Sequence, residues 1–201
     1  MKKYILLISV LAGLAMQGSA FAAHDHDHSA EVKKVVAPKS DSLFNINDVW
    51  TSSEGKQVQL SQFSGKPTVI AMVYTSCQYV CPMIVSDMQK IEKSLSKAEN
   101  GKVNYAVFSF DPDRDTPEKL KEFASSHRVN PENWTLATSN ASAVRKLAVT
   151  LGIKYKKDKS GDFDHDALIT ILDSDGVIKY QQSSVGKNMD EATATLKKLM
   201  R

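Results

Sequence analysis

Cysteine is almost missing from this chain: Cys77 and Cys81 are the two among 201 residues. None stands beside the small-residue stretch Ala20-Phe21-Ala22, so no thiol is available there to carry a lipid. Long apolar runs are missing too. The run from Tyr4 to Met16 falls short of the about 20 residues that span a bilayer. Preceded by Met1-Lys2-Lys3 and followed by the small-residue site, it reads as a cleaved secretory signal peptide over residues 1–22. The exported chain is expected to begin at Ala23, in the periplasm, soluble and without a membrane anchor. An excess of one charge is missing as well. The net charge is +3, and losing Lys2 and Lys3 with the signal lowers it to +1. So weak a field argues against nucleic acid as a partner. No internal repeat is present, and the length suits one domain with a real core.

Ahead of that domain, residues 23–42 read as a flexible polar tail. It opens with His24, His26 and His28 alternating with Asp25 and Asp27, and so holds three of the five histidines. Short histidine tracts of this kind bind divalent metals weakly, or simply solubilise the chain. From residue 43 the pattern alternates between strands and helices. Phe44–Trp50 and Gln57–Leu60 read as short strands around a Ser-Ser-Glu-Gly-Lys turn. Thr68–Tyr74 is a near-continuous apolar run suited to a strand buried on both faces. A helix is expected over about 81–98, with Met83, Ile84, Met88, Ile91 and Leu95 on its apolar side. Val103–Phe110 is the next buried strand. In Asp111-Pro112-Asp113-Arg114-Asp115-Thr116-Pro117, the aspartates read as turn and capping chemistry before a helix capped by Thr116. Trp134–Ala137 is a strand, Ala141–Leu151 a helix stopped by Gly152, and residues 154–162 a basic loop or hairpin. Ala167–Leu172 and Val177–Gln181 pair through the turn Asp173-Ser174-Asp175-Gly176. A helix over 188–200 closes the chain. The whole predicts an α/β domain, a central mixed sheet flanked by helices, with an N-terminal strand extension.

The chemistry is concentrated in Val73-Tyr74-Thr75-Ser76-Cys77-Gln78-Tyr79-Val80-Cys81-Pro82. Here a buried strand delivers two thiols to the start of a helix, whose unpaired N–H groups and partial positive charge favour a thiolate. In an oxidising compartment two cysteines can form a structural staple. A bridge over so short a loop removes little unfolded-state entropy, however, and its tight geometry makes it easier to reduce. Soft-metal binding and redox exchange therefore both stand ahead of a staple. Met72, Met83 and Met88 read as core residues rather than thioether ligands.

A strand running into cysteines at a helix start, with a terminal hairpin and helix, resembles the thioredoxin fold. Two departures stand out. The spacing is Cys-x-x-x-Cys, and the last proline is Pro131, so no proline precedes the terminal hairpin; His165 stands there. Three motifs carry a closer resemblance, to the Sco/SenC family, over residues 43–201. They are Tyr74-Thr75-x-Cys77-x-x-x-Cys81-Pro82, Asp111-Pro112-x-x-Asp115-Thr116-Pro117, and Asp164-His165 followed by Leu172-Asp173-x-Asp175-Gly176. The resemblance implies Cu(I) or Cu(II) held by Cys77, Cys81 and His165, and a role in maturing the copper centre of cytochrome c oxidase. Two thiolates with one imidazole agree with that, as a soft, low-coordinate donor set. Asp164 or Asp166 would orient the imidazole, or be solvated loop acids.

Two functions follow. One is a copper metallochaperone that delivers to a cuproprotein such as an oxidase copper subunit. The other is an enzyme-like thiol-disulfide oxidoreductase joining Cys77 and Cys81, which needs a periplasmic thiol reductant. A thiol peroxidase is a weaker reading, because no arginine is marked as a peroxide-activating group.

Overall fold

A computed structural model describes residues 39–183 and 186–201. The expected signal peptide and most of the histidine tail lie outside the described residues. The end of that tail, residues 39–42, forms a turn closed by Ser42 N–H donating to the Lys39 carbonyl at 3.0 Å. Ser42 is buried and caps a short 3₁₀ turn, Leu43–Asn45, by accepting from Phe44 N–H at 3.1 Å. The expected strand over Phe44–Trp50 is therefore confined to β1, Trp50–Ser52. Leu43 and Phe44 are both buried within that turn, which takes Phe44 out of the strand. β2 (Gln57–Val58) is followed by a 3₁₀ turn over Leu60–Phe63.

β3, Thr68–Val73, is buried at all six positions, as a central strand covered on both faces must be. After the cysteine loop, α1 runs Val80–Lys93 and stops earlier than its apolar pattern suggests. Ser96 restarts the chain as α2, Lys97–Asn100, through a capping box in which Ser96 and Glu99 satisfy each other's backbone N–H groups. β4 is Asn104–Ser109 and α3 is Pro117–Ser126, the latter capped by Thr116 with proline at its first position. β5 (Trp134–Thr138) and α4 (Ala141–Leu151) follow; Gly152, at φ +71°, ends α4 in the left-handed conformation. β6 (Tyr155–Lys157) and β7 (Phe163–His165) form a separate two-stranded hairpin. β8 (Leu168–Leu172), β9 (Ile178–Ser183) and α5 (Asp190–Leu199) complete the described chain.

The main sheet has the order β2-β1-β5-β4-β3-β8-β9. β3, β4 and β5 are mutually parallel; β8 and β9 add antiparallel on one side, and β1 and β2 on the other. This is a thioredoxin-like mixed sheet with an N-terminal hairpin extension. Its consequence for the site is positional. Parallel crossovers carry the chain from the C-terminal ends of β3 and β4 into α1 and α3. The loops at residues 74–79 and 110–116 thus emerge side by side at one end of the sheet, where Phe110 N–H donates to the Val73 carbonyl at 2.9 Å. Helix α1 lies against α5, and its Gln89 side chain donates to the carbonyls of His127 and Arg128 after α3.

Candidate metal centre

At the end of β3 the chain turns through residues 75–79, and Cys77 N–H donates to the Tyr74 carbonyl at 3.3 Å. Helix α1 then begins without any side-chain cap, since Tyr79 offers none. The Cys77 sulfur fills that role. It accepts from Cys81 N–H at 3.3 Å, one of the first-turn donors that a helix leaves unpaired. Cys81 points inward and is fully buried, its sulfur accepting from Tyr74 N–H at 3.4 Å, whereas Cys77 is half-buried. Both are free thiols.

His165 arrives from the far side, at the end of β7, where it pairs with Tyr155 of β6. Its ring meets Tyr74 edge-on with centroids 5.9 Å apart, and meets Phe110 at 4.8 Å. Nδ1 lies 3.1 Å from the Asp166 carbonyl. A carbonyl only accepts, so Nδ1 carries the proton and Nε2 keeps its lone pair. That lone pair faces the sulfurs, with Nε2 3.7 Å from Cys81 Sγ. The three ligand atoms of Cys77, Cys81 and His165 lie within 4.8 Å of one another. Two sulfurs and one imidazole converging behind aromatic rings form a donor set that fits a soft, low-coordinate metal ion.

The pair is electrostatically uneven. Hydrogen bonds hold the Cys77 thiol down at about 4, chiefly from the Cys81 thiol, then from the Cys81 and Tyr79 backbone N–H groups, against its partial burial. Burial, with Cys77 beside it, pushes the Cys81 thiol up. Cys77 is thus the thiolate and Cys81 the thiol of the reduced pair. Burial also pushes the Tyr74 phenol up to about 12.

The aspartates beside His165 divide their tasks. Asp166 meets the imidazole through its backbone carbonyl, while its carboxylate accepts from Lys154 N–H at 2.9 Å. Asp164 is exposed, and strand alternation turns it to the face opposite His165. His24, His26 and His28 lie outside the described residues. Met72 and Met88 are core residues, whereas Met83 is 38% exposed and leaves the apolar face of α1 on which periodicity places it.

Two groups escape a local reading. Asp115, in the segment read as turn chemistry, is buried and accepts hydrogen bonds from Thr75, 40 residues away. Arg114 pairs with the buried Asp111 and lies over the Tyr74 and Phe163 rings, 5.7 Å from each centroid. A capping acid and a reaching acid look alike in sequence. Cys77 also borders two clefts. One of about 280 Å³ lies against Phe163 and His165; a wider one of about 690 Å³ is lined by Pro82, Arg114, Phe123 and His127.

Comparison with known proteins places this geometry in context. The sequence model described as SCO1/SenC matches residues 40–201. A SCO1 protein homolog of Bacillus subtilis (strain 168) is 28% identical over 130 residues, 63% of this chain and 67% of that protein. The structure of Bradyrhizobium japonicum ScoI with copper bound is 31% identical, with a TM-score of 0.61, over 75% of this chain and 96% of that one. A third relative is BsSco, described as a member of the Sco family of cytochrome c oxidase assembly proteins in which a disulfide switch was identified. It is 26% identical, with a TM-score of 0.67, over 76% of this chain and 91% of that one.

Proposed function

The chain belongs to the SCO1/SenC family, and from that premise we propose that it is a periplasmic copper carrier that matures a cuproprotein such as the copper subunit of cytochrome c oxidase. The observation that carries this reading is the convergence of Cys77 Sγ, Cys81 Sγ and His165 Nε2 within 4.8 Å. Disulfide exchange has no use for the third of these groups. Cu(I) accepts two thiolates readily, and the imidazole supplies the nitrogen that Cu(II) prefers. The half-buried Cys77 and the adjoining clefts give an acceptor a way to reach the ion. Residues 1–22 act as the export signal, and His24, His26 and His28 form a separate, weaker site.

The test is uptake by the reduced protein in competition with a Cu(I) chelator, followed by delivery to an apo acceptor. Wild type is expected to hold one copper ion, and Cys77→Ser and Cys81→Ser to surrender it. His165→Ala is expected to lose the Cu(II)–thiolate absorption and to retain most Cu(I) binding. Stoichiometric copper retained by Cys77→Ser under the chelator would overturn the site.

A second reading is favoured by the thiolate character of Cys77. In it, Cys77 attacks an acceptor disulfide, forms a mixed disulfide and expels one acceptor thiolate. Cys81, losing its proton, then attacks Cys77 Sγ and expels the second. The acceptor is reduced by two electrons, the Cys77–Cys81 pair becomes a disulfide, and an external thiol must reduce it again. Maturation of the acceptor by His165→Ala at the wild-type rate would select this reading over copper delivery.

A further inference from the structure

We propose that Asp115 is a positioning residue for the thiol pair, a clasp that holds the cysteine loop against the end of β4. Three donors converge on its buried carboxylate. Thr75 N–H reaches Oδ2 at 3.0 Å, the Thr75 hydroxyl reaches Oδ1 at 2.6 Å, and the Ser109 hydroxyl reaches Oδ2 at 2.6 Å. Capping does not account for it, because Thr116 caps α3 by accepting from Lys119 N–H. Thr75 is the first residue of the cysteine loop and follows Tyr74, whose N–H holds the Cys81 sulfur. Fixing Thr75 therefore fixes the peptide that seats Cys81 and the start of the turn that carries Cys77.

The same loop also grips the histidine side. Arg114, next to Asp115, is anchored by Asp111 and lies over the Tyr74 and Phe163 rings. Lys157 of β6 reaches Asp113 at 3.3 Å. One segment, residues 111–115, thus ties the two thiols and the imidazole hairpin to one another. A carboxylate suits the task because it accepts several donors at once, and removing it leaves three donors without their acceptor, one of them the fully buried Ser109 hydroxyl.

The inference deepens the reading of the Cys77–Cys81–His165 cluster and rests on that cluster being the working site. Its test needs no metal. With Cys77→Ser throughout, Cys81 is the lone thiol, and its alkylation by iodoacetamide is measured in the reduced apo-protein. Amide exchange across β5 and β8 is followed in parallel. Asp115→Ala is expected to raise the Cys81 rate by about 10- to 100-fold, the range for losing hydrogen bonds to a charged acceptor, while exchange in β5 and β8 stays slow. Asp115→Asn keeps an acceptor for Thr75 N–H and is expected to restore most of the protection. An unchanged Cys81 rate in Asp115→Ala overturns the proposal. So does a rise matched by faster exchange across both strands, which makes the residue an ordinary stabiliser. Selective exposure of Cys81 supports the clasp even if the wild-type protein takes up no copper, and in that event the copper reading alone fails.

Discussion

Titration of Cys77 in the reduced apo-protein tests how the two thiols share their protons. The perturbation is pH, applied to wild type and to Cys81→Ala. Cys77 sits at about 4 against an ordinary thiol value of 9.0, and the Cys81 thiol is the first cause. At pH 7 a thiol of pKa 9 is ionised in about one molecule per hundred, whereas one at about 4 is ionised almost completely, a gain of about a hundredfold in thiolate. The rate of Cys77 alkylation should accordingly be level from about pH 5.5 to about pH 8, and fall about tenfold per pH unit below the midpoint. The level region is the signature, because a thiolate of low pKa is intrinsically a weaker nucleophile and its absolute rate stays modest. In Cys81→Ala the strongest hydrogen bond to the thiolate is gone, and the midpoint should climb toward the ordinary value. Site-resolved mass spectrometry of alkylated protein follows Cys77 alone. A wild-type midpoint near pH 8 to 9, or an unmoved midpoint in Cys81→Ala, would refute the assignment of thiolate and thiol.

Cu(I) uptake at neutral pH should release close to one proton per ion, read by calorimetry in buffers of differing ionisation enthalpy. Cys77 is already a thiolate and only Cys81 has a proton to give; release of two would contradict this. Gly176→Ala should lower unfolding free energy by about 1–3 kcal/mol, since Gly176 sits at φ +83° and an added Cβ would lie 2.6 Å from the Phe44 ring. An unshifted urea midpoint would show that the Leu43–Phe44 turn yields freely. Deleting residues 1–38 should leave the thiolate–copper absorption intact and remove only weaker Cu(II) or Zn(II) binding; loss of that absorption would place His24, His26 and His28 in the main site.

How far local patterning reaches is clearest in particular elements. Thr68–Val73 declares itself as a buried strand because six apolar residues in a row leave no face for water. Ala141–Leu151 is bounded by an asparagine cap and a glycine stop, both local hydrogen-bond devices, and its limits are those the sequence predicts. The Cys-x-x-x-Cys spacing and Asp164-His165 are likewise plain, and with the other motifs they lead to the family. Patterning misleads where contacts decide. Phe44 reads as the first residue of a strand, but it lies in a 3₁₀ turn and its ring fills the space beside Gly176. Met83 has the right spacing for the core, yet the sheet does not reach it.

The sequence by itself determined the order and kind of most elements and the three chemically soft side chains, because exposure periodicity, caps and residue type are local properties. The tertiary structure decided the rest. It brought His165 Nε2 within 3.7 Å of a sulfur 84 residues away, it made Cys77 the thiolate and Cys81 the thiol, and it turned Asp115 from a turn acid into the acceptor for Thr75. Those outcomes depend on strand order and on which loops emerge side by side at one sheet end. Distances and burial between groups so far apart along the chain are set by packing, which leaves no trace in the residues' immediate neighbours.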